Sequence, residues 1–162
     1  MVTALLAAAA LAMAALAVVL VSRSSHAAGG PAARRPAPGA DVRVASSRFG
    51  RILVDGRGRT LYLFLQDHRG RSACSRGCAR VWPPLTVTGT PQAGPGVRAA
   101  KLHTVRRRDD TRQVVYNGHP LYRMSADVRA GQIAGQAFLG QWFVVSPAGR
   151  MVGRRTRSAE GY

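Results

Sequence analysis

The feature that most restricts the fold of this chain is an internal repeat. Sliding the sequence on itself by 60 residues aligns Val54 with Val114, Gly58 with Gly118, and Leu61-Tyr62 with Leu121-Tyr122. The same offset aligns Asp67 with Asp127, Arg69 with Arg129 and Trp82 with Trp142. A second offset, of 91, places Val54, Gly58 and Arg59 on Val145, Gly149 and Arg150 and marks a truncated third copy. The matches fall at a turn, a strand, a strand end and a tryptophan, which is structural duplication rather than shared composition. The unit reads as a hairpin, a Tyr-x4-Asp segment, a loop and a tryptophan.

Inside each unit the hydrophobic period is two. Leu61, Leu63 and Leu65 fall on one face of a strand, with Tyr62 and Phe64 on the other. This strand follows the β-branched run Ile52-Leu53-Val54 after a break at Gly56-Arg57-Gly58, a hairpin signal. The signal returns at Gln113–Tyr116, Asn117-Gly118 and Pro120–Met124, where Asn-Gly supplies the positive φ of a tight turn. It returns once more at Trp142–Val145, Ser146-Pro147-Ala148-Gly149 and Arg150–Val152. No stretch after residue 30 carries a clear amphipathic helical pattern. The expectation is a mainly β domain: antiparallel hairpins from two repeats of about 60 residues, plus a closing hairpin, packed as one small domain. A lone hairpin is marginal in water, so the copies must pack on one another.

Around this body the composition changes. Ala4 to Val21 is an unbroken apolar run, and Ser25-His26-Ala27 places small residues where an export signal is cleaved. Residues 1–27 are therefore expected to be a signal peptide or a retained N-terminal anchor, which puts the body outside the cytoplasm. Residues 28–41 form a Pro/Ala/Gly-rich linker, residues 42–153 the two-repeat β domain, and residues 154–162 a basic, flexible tail. The chain carries 24 Lys and Arg against 7 Asp and Glu, a formal charge of +17. Such a charge attracts polyanions without choosing among them. Because Lys101 is the one lysine of the 24, coding bias toward arginine is an equal explanation.

The chain resembles a bacterial secreted-repeat family, mostly lipoproteins, marked by Tyr-x4-Asp or more fully Tyr-x-aromatic-x-x-Asp. Tyr62-Leu63-Phe64-Leu65-Gln66-Asp67 fits the fuller motif. Gly58–Tyr62, Cys74, Cys78-Ala79 and Trp82-Pro83-Pro84-Leu85 are similar to the family's first repeat, and Asn117–Tyr122 to its second. The resemblance covers roughly residues 49–149, with its motifs in order. Met124 replaces the second aromatic, and Asp109-Asp110 stands where the family has Asp-Gly. No cysteine lies near the end of the apolar run, so anchoring through a lipidated cysteine is not expected. The resemblance implies a fold and an extracytoplasmic location. It implies no reaction, since the family's role is unassigned.

Cys74 and Cys78 are the sharpest candidates for chemistry. Two cysteines in an oxidising compartment most simply form one disulfide, here closing a very small loop before Trp82. The alternative is a copper-handling or thiol-redox pair, with a third ligand drawn from His68, His103, His119, Met124 or Met151. Tyr62 with Asp67, and Tyr122 with Asp127, suggest acid/base work. Each Asp, however, sits where a strand gives way to a loop, a place for bonding backbone amides, and a buried Tyr needs a partner that the Asp of its own repeat offers. Phe64, Met124, Trp82 and Trp142 are read as core, the tryptophans as anchors of the two repeats rather than as a carbohydrate platform. Arg106-Arg107-Arg108 reads as solvated charge offset by Asp109-Asp110. The sequence contains no catalytic signature, phosphate loop or nucleic-acid motif. The leading expectation is a non-enzymatic, exported structural or binding module without cofactor. Its partner is unknown, with anionic envelope polymers the candidate class. A membrane enters only through an uncleaved leader.

Overall fold

A computed structural model describes residues 42–153. The leader, the linker and the basic tail lie outside the described residues. Two β-rich strands, β1 (Val42–Ser47) and β2 (Gly50–Asp55), form an antiparallel hairpin closed by a turn at Arg48-Phe49. The chain then turns into β3 (Tyr62–Phe64), passes a single helical turn, α1 (Gly77–Val81), and reaches a 3-10 turn at Ala99–Lys101. β4 (Leu102–Arg106), β5 (Arg112–Tyr116) and β6 (His119–Pro120) form a three-stranded antiparallel sheet. β7 (Trp142–Val144) pairs with β3. Among the described residues no helix is long and apolar enough to cross a membrane. The domain is mainly β, as its period of two predicts.

The runs Ile52–Val54, Tyr62–Leu63, Val114–Tyr116 and Trp142–Val144 are buried on both faces, which explains why they are apolar throughout. By contrast, β1 and β4 keep polar, partly exposed residues. One cluster takes Leu53, Leu61, Leu63, Leu121, Phe143 and Val145. The other takes the alternate residues Ile52, Val54, Tyr62, Tyr122, Trp142 and Val144. Side chains alternate across a strand, so a single run of strand feeds both clusters.

The two repeats exchange strands. β3, from the first repeat, pairs with the tryptophan strand of the second, in the register Tyr62↔Val144 and Phe64↔Trp142. Reciprocally, Tyr122 bridges to Pro84, Arg123 N donates to Pro83 O at 2.9 Å, and Ser125 N donates to Val81 O at 2.9 Å. The two exchanged segments meet at the tyrosines: Tyr62 N donates to Tyr122 O at 2.9 Å, and Tyr122 N to Tyr62 O at 3.0 Å. This reciprocal pair lies on a local twofold axis that relates the repeats.

Hydrogen bonding corrects the repeat alignment by one residue ahead of the turns. Leu53 N donates to Val145 O and Val114 N to Leu85 O, both at 2.8 Å. Leu53 O and Val114 O accept from Leu61 N and Leu121 N, at 3.0 and 2.9 Å. Leu53 therefore matches Val114, and Val54 matches Val115. The reason is turn length. Asp55 closes on Arg59 around three residues, whereas Tyr116 pairs with His119 around two. A slip of one residue in a strand moves every side chain to the other face, so the distinction decides which residues are equivalent. The offset of 91 holds as read: Asp55 N→Arg59 O and Ser146 N→Arg150 O are both 2.8 Å.

Candidate functional site

The motif residues converge where the repeats cross. Tyr62 is fully buried, and its hydroxyl donates to Asp127 Oδ2 at 2.5 Å. Tyr122 is fully buried, and its hydroxyl lies 2.8 Å from Asp67 Oδ2. Each tyrosine thus takes the carboxylate of the other repeat, not the one four residues after it in its own Tyr-x4-Asp motif. That corrects the expectation of a repeat-internal partner. The strand exchange causes it, because β3 lies against the second repeat's tryptophan strand, beside that repeat's loop. Each carboxylate also holds its own loop: Asp67 Oδ1 accepts Ala73 N at 2.8 Å and Asp127 Oδ1 accepts Ala134 N at 2.9 Å. These bonds span six and seven residues, longer than the local turns expected from the sequence.

Burial, and then the neighbouring carboxylate, raise both phenol pKa values far above the ordinary value of 10.0. The hydroxyls stay protonated and act as donors. Burial raises Asp67 to about 6, opposed by the Ala73 amide, the Tyr122 hydroxyl and the Arg107 charge. Chemically, the constellation is a pair of proton-holding struts that tie each repeat's tyrosine to the other repeat's loop.

Trp82 and Trp142 stack on each other at the same crossing, with ring centroids 3.9 Å apart and planes 1° from parallel. Tyr62 meets Trp82 edge-on at 5.3 Å, and Tyr122 meets Trp142 edge-on at 5.1 Å, in keeping with the local twofold. Phe64 stacks on the far side of Trp142 at 4.1 Å. Met124, its counterpart in the second repeat, is half-buried in the same cluster.

Cys74 and Cys78 form a disulfide, with Cα atoms 5.3 Å apart. It pins the loop into α1, whose carbonyl at Cys78 accepts Trp82 N at 2.8 Å. A copper or thiol-exchange role would begin with reduction of this bond. Of the five third-ligand candidates, Met124 shares the disulfide's apolar cluster, whereas His68 and His103 are exposed. His119 is half-buried, and burial lowers its pKa; Met151 packs against the other cluster. Among the described residues no group of three or more His, Cys, Asp or Glu is arranged to hold a metal ion.

Arg107 was not legible as a core residue. The sequence reads it as solvated charge, but its side chain is 5% exposed. Its guanidinium donates to Ser72 Oγ and Gln113 Oε1 at 2.6 Å and to Cys74 O at 2.8 Å. Ser72 Oγ in turn lies 2.7 Å from the Tyr122 hydroxyl, so Arg107 braces one strut. The available signal was Gln113, a polar residue on the buried face of a strand that needs a partner. Its neighbours Arg106 and Arg108 are exposed, Arg106 pairing with Asp110 at 3.0 Å. Asp55, also missed, is 3% exposed; it accepts Arg57 N and Arg59 N and pairs with the Arg59 guanidinium at 2.7 Å.

Fold and site together define a duplicated β module whose signature residues join two repeats across a local twofold. The chain belongs to a family described as a secreted repeat of unknown function, whose model matches residues 44–86 and 103–146, more than half of the chain. The second match begins at residue 103 within β4, as the first begins at residue 44 within β1. No curated protein and no solved structure shows significant similarity to the chain.

Proposed function

We propose that this chain is an exported, non-enzymatic module of the cell envelope or extracellular space, which binds anionic envelope polymer through its arginine-rich surface. The observation that carries this reading is how the acidic residues are used. Asp55, Asp67, Asp109, Asp110 and Asp127 all spend their carboxylates on hydrogen bonds inside the domain. Arg59, Arg106 and Arg107 take carboxylates among these, and exposed arginines dominate the exterior. Arg69, Arg71, Arg76 and Arg80 are exposed along the disulfide-pinned loop alone. A surface of one sign favours a polymer of the other sign, and the Tyr–Asp pairs, committed to the joint between repeats, offer no reacting group.

The test is retention on immobilised heparin as a stand-in polyanion. Binding at low salt that falls steeply as salt is added supports the proposal. Weak retention near 10 mM ionic strength, where the Debye length is about 30 Å, would leave coding bias as the origin of the charge.

A further inference from the structure

The two hairpins of the domain are equivalent, yet they treat one place differently. Backbone pairing matches Ser47↔Gly50 in the first hairpin with Arg107 N→Thr111 O in the second, so Ser47 stands where Arg107 stands. The pairs Ala45↔Ile52 and Val105↔Gln113 match Ile52 with Gln113. The carboxylate-bound amides of Ala73 and Ala134 match Ser72 with Ile133. In the second half, therefore, Arg107 donates to both Ser72 and Gln113, and the three side chains occupy the space beneath the hairpin. In the first half the same three positions are Ser47, Ile52 and Ile133, and the space is a cavity of about 470 Å³.

That volume lies within the range of small-molecule sites, roughly 300–1,000 Å³. Ala45, Ile52, Val54 and Ile133 give it apolar walls. The Thr60 hydroxyl in its wall already donates to Gln132 O at 2.7 Å. Among the described residues the one buried side-chain polar atom without a hydrogen-bond partner is Arg123 Nε, which does not line this cavity. With its Thr60 hydroxyl already bonded, the part of the cavity walled by Ala45, Ile52, Val54 and Ile133 suits an apolar occupant. Arg48 is the single charged residue lining it, exposed, with its guanidinium carbon 5.0 Å from the centre of the Phe49 ring. No ion pair is formed by Arg48 among the described residues.

We propose that this cavity binds a small single-chain amphiphile, its hydrocarbon body against Ala45, Ile52, Val54 and Ile133 and its one anionic headgroup at Arg48. The second hairpin supplies its own filling in the form of Arg107. The first leaves the equivalent space to a ligand.

Decanoate and decanol, kept below the concentrations at which they aggregate, are titrated into the full chain while amide shifts of Ala45, Ile52, Thr60 and Ile133 are followed by NMR. Saturable one-to-one binding of decanoate at those residues is expected. Arg48→Gln should weaken decanoate about fivefold, the scale of an exposed ion pair, and leave decanol unchanged. Ala45→Phe, which fills the cavity, should abolish both. The triple variant Ser47→Arg, Ile52→Gln, Ile133→Ser, which rebuilds the second half's network, should do the same with unchanged circular dichroism. Absence of saturable shifts, or binding that survives Ala45→Phe, would overturn the site. Equal response of decanoate and decanol to Arg48→Gln would overturn the anionic headgroup.

Discussion

A tyrosine hydroxyl removed from water needs an acceptor, and in this domain that requirement joins the repeats. Tyr62 and Tyr122 each lose access to solvent in the crossing, and each finds a carboxylate 65 or 55 residues away. A hydrogen bond to a charged group contributes about 1.5–3 kcal/mol. A double-mutant cycle of Tyr62→Phe with Asp127→Asn should therefore give a coupling of about 1–3 kcal/mol by chemical denaturation. The cycle of Tyr62→Phe with Asp67→Asn, two residues of one motif that do not touch, should give a coupling near zero. Coupling within the motif rather than across it would contradict the exchanged geometry. Asp67 also makes stability depend on pH. The folded carboxyl keeps its proton up to about pH 6, whereas an unperturbed carboxyl releases it near 3.8. Between these values the native state binds more protons than the unfolded chain, so this contribution is present at the acid end and lost as pH rises through about 6. The Tm of the wild type should fall relative to that of Asp67→Asn over this window. A difference in Tm that stays constant with pH would show that Asp67 titrates normally.

At the scale of elements, the two loops that follow the motif do one task by different means. In the first, the Cys74–Cys78 disulfide holds the approach to Trp82. Replacing both cysteines by Ser should cost about 2 kcal/mol at most, the loop-entropy limit for so small a ring, and leave the fold intact. In the second, hydrogen bonding places Gly135 at the position of Cys74, and the Trp82 ring lies where a side chain would be. A Cβ at Gly135 would come within 2.5 Å of Trp82 Cη2 and 2.8 Å of Cζ3. Gly135→Ala should thus destabilise by about 1–3 kcal/mol, the usual cost of overpacking. It should also weaken the circular dichroism of the stacked tryptophans. An unchanged tryptophan signal would mean that the loop, not the ring, gives way. The turns at Gly56-Arg57-Gly58, Asn117-Gly118 and Ser146–Gly149 were legible in the sequence, because Asn-Gly and Gly-x-Gly breaks are local signals. The longer hairpins β1–β2 and β4–β5 were not, because they turn at Arg48-Phe49 and between Arg107 and Thr111 without such a break. The exchange of strands was not, because Tyr62 and Val144 carry no local mark of their pairing. Arg107 was hidden for a related reason: a run of three arginines beside two aspartates looks solvated until the strand register shows which one turns inward.

For the whole molecule, the exchange means that neither repeat contains its own complement. The first repeat supplies β3 but not β7, and it supplies Trp82-Pro83-Pro84 but not the Tyr122 segment that pairs with it. Trp82 and Trp142 each lose a stacking partner if the halves part. Both Tyr–Asp bonds run from one repeat to the other, so separation would leave buried donors and acceptors unmatched on both sides. A hairpin alone is marginal in water, and half of this domain would be little more than one hairpin with an unpaired strand. A fragment spanning residues 42–101 should accordingly lack stable sheet by circular dichroism, as should one spanning residues 102–153. Mixed at equal concentration under oxidising conditions, the two should recover both the sheet signal and the coupled tryptophan signal, with a midpoint that depends on concentration. Duplications whose copies each form a closed unit behave otherwise, folding as separate halves with unfolding independent of the partner. Cooperative unfolding of either fragment by itself would place this chain among them and refute the interlocked joint.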